Sequence, residues 1–155
     1  MKRNLKLKEK KIEQRELFSL KYGKIEFNEN DIIYMVNPLL GFPYLTDYIL
    51  ITSEEHLPFY IFHSSEDPTV SFIVVDIKIF FPDYKPNFHK RDLKVLQAKS
   101  EDELKLFGIV VVPSNPKEST INLKGPLVIN LEKKLAKQII LEDDSYNIKT
   151  PLLKE

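Results

Sequence analysis

Apolar and polar positions alternate with a period of two along most of this chain, the spacing that sends successive side chains to opposite faces of a β-strand. The runs LFSLK, KIEF and DIIYMV precede Asn37 and Pro38; DYILIT, LPFYIFH, TVSFIVVDI and LKLFGIVVV follow, then INL, LVIN, KQIIL and YNIK. They are rich in Ile, Val, Phe and Tyr and are bounded by Pro, Asn, Asp and Gly at intervals of roughly 8 to 12 residues. That pattern predicts a mainly β protein, a small antiparallel β-barrel-like or sandwich domain. One short helix is predicted over residues 89–97, HKRDLKVLQ, where Leu93 and Leu96 share a face and Pro86 lies upstream. Ser100 and Glu103 have the spacing of a capping box, but ELKLFGIVVV fits a strand better.

The segment TINLKGPLVIN, residues 120–130, joins two β-type runs through a Lys-Gly-Pro corner and sets an amide beside each. An amide or hydroxyl in a buried strand needs a hydrogen-bond partner, so Thr120, Asn122 and Asn130 are expected to fix irregular backbone between strands. Pro43, Pro58, Pro82, Pro113 and Pro126 each stand at a run boundary, where the ring fixes φ and removes a ladder donor. Gly41, between Leu39-Leu40 and Phe42-Pro43, is placed to reverse the chain at positive φ.

Composition narrows the function. The 155 residues fit one domain able to bury its own core, and the absence of Cys removes disulfides, thiolate catalysis and cysteine metal sites. The apolar runs fall short of the roughly 20 residues of a membrane helix, and the N-terminus lacks the uninterrupted apolar stretch of a signal peptide, so a soluble, unexported chain is expected. The zero net charge hides an asymmetry: through Arg15 seven basic residues face Glu9 and Glu13, giving +5, and the rest carries −5. Residues 1–16 are therefore expected to be a basic extension, frayed or helical, ahead of a β domain over 17–152. The extension lacks interleaved aromatics and is diluted by Glu, so direct nucleic-acid binding is not expected. The acidic groups Glu54/Glu55, Glu66/Asp67, 101–103 and 142–144 fall between strand-like runs, where they can keep the domain soluble or steer a basic partner.

Candidate catalytic chemistry is thin. His56, His63 and His89 lack HxH or HExxH spacing; His63 with Glu66 and Asp67 could gather around a metal, but a strand-end His beside solvated acids is the simpler role. Ser64 and Ser65 follow His63 too closely to pair with it on a strand, and Asp83, in a Pro-bounded turn, suits local backbone N–H groups better than proton abstraction. There is no P-loop and no GxGxxG, so no enzyme, cofactor or metal is expected.

The order of motifs resembles a known family. GKIEF (23–27), LGFPYLTDYIL (40–50), PFYIFHSSEDPTVSFIVVD (58–76), FFPDY (80–84), VVVP (110–113), TINLKGPLVIN and KQIILEDDSY (137–146) are similar to the flagellar assembly factor FliW family. The resemblance implies a non-enzymatic, cytoplasmic β domain that binds flagellin and the RNA-binding translational regulator CsrA, antagonising CsrA and relieving repression of flagellin synthesis. A flagellin-binding, chaperone-like protein with weak or no CsrA contact is the alternative. The matching residues Gly41, Phe42, Pro58, Phe59, Pro82, Asp83, Tyr84, Thr120, Asn122, Leu123, Pro126 and Asn130 are structural or partner-binding candidates. Ile121 and Gly125 depart from the family pattern, which has alanine at both places, so the corner is expected to differ locally.

Overall fold

The computed structural model describes residues 13–153. In chain order the strands are β1 (Gln14–Ser19), β2 (Gly23–Asn28), β3 (Ile33–Asn37), β4 (Asp47–Ile51), β5 (Phe59–Ser64) and β6 (Ser71–Asp76). Two short helices follow, α1 (Ile77–Phe80) and α2 (Lys90–Val95), then β7 (Lys105–Val111), β8 (Thr120–Ile121), β9 (Leu127–Asn130), β10 (Leu135–Gln138) and β11 (Thr150–Pro151). No described helix is long and apolar enough to cross a membrane.

Strands β3 to β7 pair antiparallel in sequence order, and the ring closes through β9 and β10. β9 runs antiparallel to both β7 and β10, and β10 lies parallel to β3, with Leu135 opposite Tyr34 and Ala136 opposite Met35. The result is a closed barrel of seven strands with one parallel seam. Closure leaves two apolar surfaces on the same strands, which is why the runs are so densely hydrophobic. Met35, Tyr48, Phe62, Val74, Phe107, Leu127 and Ile129 fill the interior, where Tyr48 stacks on Phe62 at 4.6 Å. Outside, the β1–β2 hairpin lays Leu17 and Phe27 over Ile49 of β4. The segment carrying α1 and α2, with β8 and Leu152, covers Val75, Leu106, Val110 and Val128.

β8 and β9 act as two halves of one strand along a single edge of β7. Pairing passes from Val110 opposite Ile121 to Phe107 opposite Leu127, an advance of three residues on β7 against six on its partner, so residues 123–126 loop out. A Cβ on Gly108, between the two halves, would fall 2.6 Å from Ile121 Cγ1, closer still to its Cδ1, and 3.1 Å from Ile77 Cγ1. The bare backbone of Gly108 is the space that Ile121 occupies.

Several predicted elements move. The helix expected over 89–97 is confined to Lys90–Val95: Asp92 Oδ2 accepts from the His89 N–H at 3.2 Å, and Gln97 already has φ +55°. TVSFIVVDI does not stay extended throughout, because Asp76 Oδ1 accepts from the Lys78 N–H at 3.1 Å and starts α1. The last barrel strand precedes most of KQIIL, and YNIK yields to β11, which begins at the residue after it, held by Thr150 opposite Ile121. Of the expected extension, residues 1–12 lie outside the described residues, while Gln14–Ser19 is strand, so the boundary at 16/17 falls inside β1. α2 is tied to the closing strands by a buried ion pair, Lys137 Nζ to Asp92 Oδ1 at 2.8 Å, and by Asn130 Nδ2 donating to Leu96 O at 2.8 Å.

Replacing Gly108 by Ala should lower stability by about 1–3 kcal/mol, several degrees in a thermal melt, because neither Ile121 nor Ile77 can withdraw from a packed core. Gly125→Ala should cost less, since its Cβ would meet the ends of flexible side chains, Gln138 Nε2 at 3.0 Å and Ile140 Cδ1 at 3.1 Å. Circular dichroism melts of the two variants check the ranking.

Candidate partner-binding surface

The looped-out corner is held by its own side chains. Asn122 Oδ1 accepts from the backbone N–H groups of Lys124 at 3.0 Å and Gly125 at 2.8 Å, while the Asn122 N–H continues the ladder to Ile109 O at 3.0 Å. The neighbouring carbonyls are also engaged: Tyr84 Oη donates to Leu123 O at 2.7 Å, Gln138 Nε2 to Gly125 O at 3.1 Å, and the Ile139 N–H to Pro126 O at 3.0 Å. Pro126 has no N–H to satisfy, which suits a buried position beside an interrupted ladder. Asn130 works at the other end of β9, accepting from the Lys133 N–H at 3.1 Å while its amide caps α2. Thr120 is half-buried in β8, opposite Val111 and Pro151.

Gln138 gathers distant motifs. Its Oε1 accepts from the Leu40 N–H at 3.4 Å, which brings the turn containing Gly41, at φ +91°, to the corner. From the other side FFPDY arrives through Tyr84, whose ring meets Tyr146 edge-on at 4.9 Å; Pro82 and Asp83 stay exposed at the rim. Phe42 instead meets Phe72 at 5.2 Å against the barrel-interior cluster, and Phe59 reaches Phe80 at 6.1 Å. Pro58 and Phe59 lie on the 53–59 turn that begins β5. Leu123 and Asn130 are buried, so neither offers its side chain to a partner.

The histidine and acids weighed for a metal are occupied separately. His63 is buried beneath the hairpin, its Nδ1 2.7 Å from Ser64 O; a carbonyl only accepts, so Nδ1 carries the proton and Nε2 accepts from Ser19 Oγ at 2.7 Å. Glu66 accepts from the N–H groups of Thr46 and Asp47, both at 2.9 Å. Hydrogen bonds from the Thr69 hydroxyl and backbone hold the Asp67 carboxyl below its ordinary range. Beside the corner, the Ser145 hydroxyl and N–H do the same for Asp143, and Lys124 Nζ pairs with Asp144 at 2.9 Å. The 142–144 loop thus presents exposed carboxylates next to the half-exposed Ile140.

Gln138 and Gly108 escape a reading based on turn residues and catalytic types. The signals were a single amide in the apolar run KQIIL and a glycine inside an otherwise β-branched run.

Burial, and then Tyr146, hold the Tyr84 hydroxyl well above the tyrosine range, and burial pushes Tyr48 up to about 12. Both pKa values are raised in the fold, so their contributions are complete below the unfolded value of about 10 and are lost as pH rises through the folded values. Urea midpoints measured from about pH 8 to 11.5 should fall over the upper part of that span. Tyr84→Phe should flatten the fall while costing about 1–2 kcal/mol at neutral pH, because Leu123 O loses its donor. Among the described residues Tyr48 Oη has no partner, so Tyr48→Phe should flatten it at no basal cost. Asn122→Ala should cost about 1–2 kcal/mol through the two freed corner N–H groups, read in the same titrations.

With this geometry in view, the chain can be set beside known proteins. The family described as FliW protein matches residues 16–152. A flagellar assembly factor FliW from Caldanaerobacter subterraneus subsp. tengcongensis is 38% identical over 141 residues, covering 90% of this chain and 94% of that relative. The one from Clostridium acetobutylicum is 38% identical over 132 residues, covering 85% and 94%. A crystal structure of the flagellar assembly factor FliW superposes with a TM-score of 0.85 at 30% identity, covering 91% of this chain and 99% of that one. The chain therefore belongs to the FliW family of flagellar assembly factors, whose solved fold it shares.

Proposed function

We propose that this chain is a non-enzymatic, cytoplasmic regulator that acts by exchanging protein partners. Flagellin and the RNA-binding regulator CsrA are those partners, and binding CsrA relieves its repression of flagellin translation. The observation that carries the reading is family membership across nearly the whole described chain, on a fold whose corner residues are spent on backbone hydrogen bonds. The exchange runs on mass action: cytoplasmic flagellin occupies this protein, export of flagellin frees it, and the freed protein captures CsrA. The acidic surface supports the second step, because an RNA-binding partner must present basic surface, and complementary charge speeds encounter. Ile121 supports it in another way: it is fully buried over Gly108, so this departure from the family pattern alters packing rather than the surface. The candidates with exposure to spare for a partner are Gly41, Pro82 and Asp83.

Size-exclusion chromatography of the purified protein with CsrA, with and without flagellin, tests this reading. Co-elution with CsrA that flagellin abolishes is expected. Stoichiometric capture of flagellin without any CsrA complex would replace it with the chaperone-like alternative, and salt-sensitive RNA binding by the protein alone would contradict both.

A further inference from the structure

Most of the barrel's outer surface is covered, by the hairpin over β4 and by the 77–104 segment with β8 over β6, β7 and β9. Over Ile61 of β5 and the Ile73 end of β6 the cover stops. There Phe59, Ile61 and Ile73 form the floor of a groove of about 440 Å³ walled by Tyr22, Leu57 and Val112. Leu57 is 54% exposed and Val112 46%, so apolar side chains stand in solvent around an apolar floor, an arrangement associated with binding surfaces.

We propose that this groove docks an amphipathic helix presented by a protein partner; the proposal rests on the partner-exchange reading above and gives it a site. Backbone pairing decides for a helix. Ile61 is paired on one side with Ile51 of β4 and on the other with Ile73 of β6, and Ile73 is paired in turn with Val110 of β7. The Ile61–Ile73 floor has no free strand edge, and the Phe59 N–H is already turned back to His56 O at 2.7 Å, so a segment lying in the groove must satisfy its own backbone hydrogen bonds, as a helix does. Apolar residues at i, i+3, i+4 and i+7 would then face Phe59, Ile61 and Ile73. Charge orients the helix: Glu55 and the neighbouring exposed Glu54 stand on the wall carrying Leu57, whereas Lys21 stands on the wall carrying Tyr22. The docked helix therefore carries cations along the flank facing Glu54 and Glu55 and an anion toward Lys21.

Leu57→Asp and Val112→Asp place a charge in the groove at positions open enough to leave the fold intact, which a thermal melt verifies. Each variant and the wild type are titrated with flagellin and with CsrA by calorimetry, and a photocrosslinking residue at position 57 reports what lies in the groove. The proposal expects at least a tenfold loss of affinity for one or both proteins, and a cross-link to an amphipathic helical segment of the affected one. Unchanged affinity for both, with wild-type binding intact, overturns the groove while leaving the functional reading standing. A cross-link to an extended segment or to a second copy of this chain overturns the helix. Wild-type binding to neither protein overturns the functional reading, and the proposal with it.

Discussion

One edge of β7 must be satisfied by two separate pieces of chain, and the rest of the structure follows from that pairing. β8 takes the Val110–Val111 end and β9 the Lys105–Phe107 end, with the corner looping out between them. Once β9 is fixed there, β10 is fixed beside it, and β10 supplies the parallel partner that β3 would otherwise lack. A barrel left open at this seam would bury unpaired backbone groups at about 1–3 kcal/mol each, so the seam and the interior core form together or not at all. The motif amides belong to this constraint. Asn122 satisfies the looped-out N–H groups and Asn130 binds the C-terminal end of α2, two polar residues placed where a regular ladder cannot reach.

Closure also bears on how such a protein can work. With the interior filled and the ring's strands paired to both sides, partners must be met on the outer surface, by loops or by gaps in the cover. The acidic turns supply long-range attraction that salt screens within about 10 Å, useful for encounter and weak as a hold. On the proposed reading, apolar surface on a rigid floor supplies the hold. Separating the two would let one small domain engage partners of different chemistry without refolding, as the proposed exchange by mass action requires.

Much of the fold was legible because a barrel that is covered outside and packed inside demands apolar residues on both faces of short strands, and TVSFIVVD or LKLFGIVVV advertise that directly. The ends of the runs were less legible. IVVDIKIFF stays apolar across the change from β6 to α1, and only the carboxylate of Asp76, bonded to Lys78, marks the break. The β10 strand begins at Leu135, where Ala136 packs into the interior, while Ile139 and Leu141 of KQIIL face the outer cluster instead. No local pattern foretells the parallel β3–β10 seam or the split strand, since the seam brings Tyr34 to Leu135, and the split strand sets Ile121 beside Val110 but Leu127 beside Phe107. The amides of the corner were conspicuous because a strand has little use for them. The apolar groove was not, since its walls come from the β1–β2 turn, the 53–58 turn and Val112, each unremarkable alone.

On the proposed reading, closure and binding occupy different parts of this barrel, the corner holding the seam while partners meet the outer surface. Amide hydrogen exchange of the protein, free and then saturated with flagellin or with CsrA, tests it most directly. A bound partner should slow exchange around residues 20–22, 55–62 and 110–112 and leave residues 122–130 at their free-state rates. Protection confined to residues 122–130 would contradict it, placing the partner on the corner itself.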